Sequence, residues 1–166
     1  MSALDRIKRF VLPKLTRRYA LRVLLVALGA FFVFRYVAAP FRIRGASMAP
    51  TYPARGFTFG CRRPWVLSEP ERGDIVIIRL AGREVALLKR IVALPGEKVE
   101  FRNGKLYVDG VALPEPYVKK EGEWDLEPRV VDPEHYYVVG DNRSGPMEEH
   151  MFGQVKGNRI IGQPIW

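Results

Sequence analysis

At 166 residues and 48% hydrophobic composition, the chain holds enough for one ordinary core, which excludes two full domains. The net charge of +9 does not indicate a nucleic-acid binder. Residues 1–44 carry ten Lys/Arg against Asp5 alone, whereas residues 45–166 carry seventeen of each sign, so the folded body has no basic excess for a polyanion. Cys61 is the sole cysteine, which excludes an internal disulfide and a cysteine-based zinc site and leaves Cys61 as a small buried apolar residue. No cofactor, metal or nucleic-acid partner is expected.

Residues 1–22 hold seven basic side chains and read as a cytoplasmic segment. The run VLLVALGAFFVFRYVAAPF, residues 23–41, is interrupted only by Arg35. As a helix it would span about 28 Å, enough for a bilayer core, with Arg35 near the end where its stem reaches the interface. The positive-inside rule then keeps the N-terminus in the cytoplasm and places residues 42–166 on the outer face of the plasma membrane. A cleaved secretory signal ending at the small residues of 37–39 would export the same part. The long basic region and Arg35 favour an anchor that stays attached.

The stretch IRGASMAPTYPARG, 43–56, fits neither a helix nor a strand, and it puts one of four serines, Ser47, in a bend stiffened by Pro50 and Pro53. Short runs rich in Val, Ile, Tyr and Phe follow at 73–80, 84–94, 98–113 and 135–142. Asn103-Gly104 predicts a two-residue hairpin turn. Residues 114–134, with four prolines and dense charge, read as a long surface excursion. The expected fold is mostly β, a compact antiparallel sandwich or partly open barrel behind one N-terminal transmembrane helix.

A serine hydroxyl needs a base within hydrogen-bond reach to act as a nucleophile. His135 and His150 are the histidines, and their spacing favours no triad. Of the eight lysines, Lys89 alone is set in an apolar strand, where alternation puts Leu87, Lys89 and Ile91 on one face. Desolvation there favours a neutral amine, as a general base requires. The other reading is an edge-strand lysine whose ammonium reaches water.

Four segments resemble the type I signal peptidases in their order: SMAPT at 47–51, RGDIV at 72–76, KRIVALPGEKV at 89–99 and GDNR at 140–143. The apolar segment before the serine also matches, and the closing GNRIIGQPIW is similar to the family's last strand. The resemblance implies a membrane serine endopeptidase with a Ser-Lys dyad. Its substrates would be signal peptides of exported preproteins, cut after small residues of the Ala-X-Ala type, and its surroundings the membrane lipid and the secretion translocon. Ser47 would be the nucleophile, Lys89 the base, and the Ser47 N–H an oxyanion donor. Met48 would pack beside the bend, and Arg90, Asp141, Asn142 and Arg143 would brace the strand of Lys89.

Several positions depart from the family. Gly45 stands where many members have an oxyanion-hole serine. Pro146 replaces the serine that orients the lysine, a task for which Ser144 is the nearest hydroxyl. Glu148, Glu149 and His150 replace the Asp-Ser-Arg triplet, so an Asp–Arg pair becomes Glu148 with His150, and a glutamate turned toward Lys89 would hold it as an ammonium. These changes also suit a specialised maturation peptidase of the same clan, or a degenerate homologue that binds exported peptides without cutting. The FTF of 57–59, Cys61 and Trp65 are assigned to the core or a membrane-facing rim.

Overall fold

The computed structural model describes residues 16–61, 69–79 and 86–165. Two units divide between Val37 and Ala38. In the first, helix α1 (Arg17–Phe32) is capped by the Thr16 hydroxyl, which accepts the Tyr19 N–H at 3.2 Å. It continues as a π-helical turn, Val33–Val37, and none of these side chains is buried. Arg17–Val37 is 21 residues with mean hydropathy 2.0, long and apolar enough to cross a membrane at about 32 Å.

The helix therefore starts earlier than the expected 23–41 run and stops short of its end. Pro40 offers no N–H and drives Ala39 into extended backbone, so the last apolar residues pair as a strand. The basic positions before residue 16 lie outside the described residues, as does Trp65.

The second unit is mostly β, with two short 3-10 turns among the described residues. Its first strands are β1 (Ala38–Arg44), β2 (Arg55–Cys61), β3 (Ile75–Arg79) and β4 (Ala86–Ala93). Next come β5 (Lys98–Arg102), β6 (Lys105–Val108), β7 (Val111–Ala112) and β8 (Leu126–Val130). The chain closes with β9 (His135–Val139), β10 (Gly153–Lys156) and β11 (Ile160–Pro164). Seven strands form one open antiparallel sheet in the order β1-β2-β11-β3-β4-β9-β10, and four form a second in the order β7-β6-β5-β8. Neither sheet closes into a barrel. The β5–β6 hairpin turns at Asn103 and Gly104, both at positive φ, as the dipeptide predicts.

Val92, Ala93, Tyr137 and Val139 of the larger sheet share one core with Val99, Phe101, Leu106 and Trp124. A register shift between Ile91 and Ala93 lets Val92 and Ala93, neighbours in sequence, both enter it. On the opposite face, Ile91 packs with Val76, Ile78 and Val138 in a smaller cluster.

Residues 114–134 are not a simple surface excursion. They contain β8, and Trp124, Leu126 and Val131 are buried. Pro128 hid the strand in the sequence, but β8 lies on a sheet edge, where a missing N–H is tolerated. One smaller reading changes, and another narrows to one of its two alternatives. Cys61 is only half-buried, because it closes β2 near the surface. Phe57 is 77% exposed and Phe59 also faces out, leaving Thr58 alone of the FTF buried.

Candidate active site

Ser47 lies in the turn between β1 and β2, half-buried beside the fully buried Met48. Two bonds hold the turn against the loop after β9. The Asn142 N–H donates to the Ser47 carbonyl at 3.0 Å, and the Asn142 amide nitrogen donates to the Ala46 carbonyl at 3.1 Å. Gly140 makes the approach possible: a Cβ there would run into the Ser47 carbonyl oxygen and come within 3.2 Å of its Cβ. The Ser47 N–H itself donates to no group among the described residues.

Lys89 sits at the middle of β4, 2% exposed and opposite Val76 of β3. On its other side Arg90 faces Val139, so one step along the same antiparallel register Gly140 comes opposite Lys89. Ser47 therefore packs against the residue that faces Lys89. The Lys89 pKa is lowered from its ordinary 10.5 to about 8: burial is the main cause, the Arg143 cation adds to it, and the Asp141 carboxylate opposes both. Lys89 forms no ion pair among the described residues. The edge-strand reading thus fails: β4 is interior to its sheet, and the amine is held where its neutral form is accessible.

Asp141, fully buried, joins the two halves of this arrangement. It accepts Arg90 Nε at 2.8 Å and Nη2 at 2.6 Å, and the Thr51 hydroxyl at 2.5 Å. One carboxylate thus ties the serine turn to the lysine strand. Arg143, also buried, donates to the Gly140 carbonyl at 2.7 Å and pairs with Glu115 at 2.6 Å. Tyr117 donates to Glu115 at 2.8 Å, and its ring lies under the Arg90 guanidinium at 3.9 Å. Sequence reasoning missed Gly140, Glu115 and Tyr117. Only the glycine of GDNR carried a visible signal; the other two sit in a segment without periodicity.

The altered box behaves differently from expectation. The Ser144 hydroxyl is exposed and donates to Asn142 Oδ1 at 2.6 Å, so it is engaged away from Lys89. Glu148 and Glu149 are exposed in a short 3-10 turn and form no ion pair among the described residues. His150 does not pair with Glu148; its Nε2 lies 2.8 Å from the Ser144 carbonyl and its ring sits on Trp124 at 4.7 Å. His135 Nδ1 contacts the Pro133 carbonyl at 2.8 Å, so both histidines are engaged elsewhere than at Ser47. Gly45 has φ +100°, a conformation that favours glycine, so a side chain there would be strained despite open space around it.

Residues 16–166 match the family described as Signal peptidase, peptidase S26. The chain belongs to the signal peptidase family. It is similar to Signal peptidase I of Bacillus amyloliquefaciens, 35% identical over 151 residues, covering 84% of this chain and 78% of that protein. It is also similar to Signal peptidase I S of Bacillus subtilis strain 168, 33% identical over 141 residues, 78% of this chain and 76% of that one. A solved signal peptidase I from Enterococcus faecalis V583 is 30% identical, covers 58% of this chain and 97% of its own, and superposes with a TM-score of 0.48. As a signal peptidase the chain is a serine endopeptidase.

Proposed function

We propose that the protein is a membrane-anchored peptidase that removes N-terminal signal peptides from exported preproteins, with Ser47 as nucleophile and neutral Lys89 as general base. The observation that carries this reading is a lysine 2% exposed, its pKa pulled to about 8, on a strand whose facing residue packs against Ser47. Lys89 takes the Ser47 proton as Oγ attacks the scissile carbonyl. The oxyanion meets the uncommitted Ser47 N–H, and Lys89 then passes its proton to the leaving amine. A water deprotonated by Lys89 releases the acyl group from Ser47.

A pocket at Ser47, with Phe41, Ile43, Met48, Ile77 and Leu88 on its apolar walls and Arg42 also lining it, supports the substrate assignment, since those walls suit the small residues before the cleaved bond. Arg17–Val37 would be the anchor, with residues 42–166 on the outer face and the basic flank inside. The test is purified protein with a precursor carrying Ala-X-Ala before its cleavage site, alongside Ser47→Ala. Cleavage at that bond by the wild type alone supports the reading. Equal cleavage by Ser47→Ala, or none by either, rejects it, and the second result would favour a homologue that binds without cutting.

A further inference from the structure

We propose that a second cavity, on the Lys89 side of the site, receives the stretch of exported chain just after the scissile bond and selects acidic side chains there. The proposal rests on the roles of Ser47 and Lys89 given above. The cavity is about 420 Å³, within the ~300–1,000 Å³ usual for binding sites. Its apolar floor includes Ile78, Leu87 and Val138, and Lys89 itself lines it.

Chemistry assigns the two cavities to the two halves of a substrate. The acyl half stays on Ser47, which lines the first pocket and not the second. The leaving amine takes its proton from Lys89, which lines the second and not the first. Leu87 lines both, so a chain crossing from Ser47 to Lys89 passes over it. The new N-terminus and the residues behind it thus enter the second cavity.

The charge of that cavity is one-sided. Arg79, Lys156 and Arg159 are exposed on its rim with His135 beside them, and no Asp or Glu among the described residues lines it. Glu134 reaches Lys156 at 3.3 Å from outside, with both side chains largely in water, so it offsets that cation only in part. A carboxylate on the substrate could meet these cations while its neighbours cover the apolar floor. An ammonium there would face mainly like charges among the described residues that line it.

The test uses full-length protein in detergent and three precursors, identical except for Glu, Gln or Lys at the second and third positions after the bond. At low salt kcat/KM should fall in the order Glu, Gln, Lys by about 3- to 10-fold per step, and the spread should narrow as salt screens it. Within Arg159→Gln the Glu-to-Lys ratio should shrink toward one, and within Arg159→Glu, where Arg79 and Lys156 remain, it should shrink further. Because each ratio is internal to one preparation, partial misfolding cannot mimic it. Equal kcat/KM for the Glu and Lys precursors, with the Gln precursor still cleaved, overturns the subsite and leaves the dyad standing. If the wild type cleaves none of the three, the functional reading fails and the subsite fails with it.

Discussion

Lys89 shows what burial costs a single residue and what it makes available. Its pKa of about 8 in the fold against 10.5 ordinarily means that, between those values, the unfolded chain holds a proton the folded one has shed. Stability therefore rises with pH across that window, and the cost is fully present below pH 8. Lys89→Met should remove the cost, making the protein more stable at pH 7 by up to about 3 kcal/mol in denaturant titrations, with the gap closing toward pH 10.5. A gap independent of pH would show that burial does not tune this amine. Gly140 is the other single-residue dependency. Gly140→Ala should push the Ser47 turn away from β4 and lower kcat by about 100-fold or more with a smaller change in melting temperature. Wild-type rates in that variant would mean the close approach does not matter. The bend at Ser47 and the apolar strand around Lys89 were legible in the sequence, and their burial and approach through Gly140 agree with that local reading. Gly140 was not singled out, because its importance lies in a carbonyl ninety-three positions earlier in the chain.

The elements around Ser47 and Lys89 divide into those written in local pattern and those set by distant contacts. The β5–β6 hairpin and the strands β3, β4 and β9 follow from β-branched runs and one Asn-Gly turn. β1 was hidden because Ala38–Phe41 continues the apolar run of the helix, and only pairing with β2 separates them. The segment after β7 was misread because its order comes from Glu115 and Tyr117 docking on Arg143 and Arg90. If Lys89 is the base, that docking bears on the chemistry. Glu115→Gln leaves the buried Arg143 cation without its counter-charge, and Arg143 already pulls the Lys89 pKa down. The alkaline-rising limb of the pH–rate profile should therefore move toward acid, while the fold loses about 3–5 kcal/mol. A loss of stability with an unmoved limb would reduce Glu115 to a structural strut.

At the scale of the whole molecule, charge and hydropathy are distributed so that one end suits a membrane and the other a peptide. The 21-residue apolar helix follows a basic flank, and residues 45–166 beyond it are neutral in total. Cleavage at the small residues of 37–39 would cut into β1, where Ala39 is buried and paired with Gly60. Protein extracted from membranes should accordingly retain its N-terminal segment when weighed by mass spectrometry. A mature chain beginning near Ala39 would contradict the anchor. The altered box after Arg143 is the part least predictable from kinship. There Ser144 satisfies itself on Asn142 and His150 settles on Trp124. Lys89 is then positioned by the packing of β3, β4 and β9, with Asp141 and Arg143 fixing its field.

The central claim is that a neutral Lys89 activates Ser47, and one measurement addresses it most directly: kcat/KM for an Ala-X-Ala precursor from pH 6 to 10, wild type beside Lys89→Arg. The wild-type rate should climb through an apparent pKa near 8. Lys89→Arg should be inactive at every pH, because a guanidinium keeps its proton throughout that range. A flat wild-type profile, or cleavage surviving in Lys89→Arg, would contradict the dyad and return the role of base to another group.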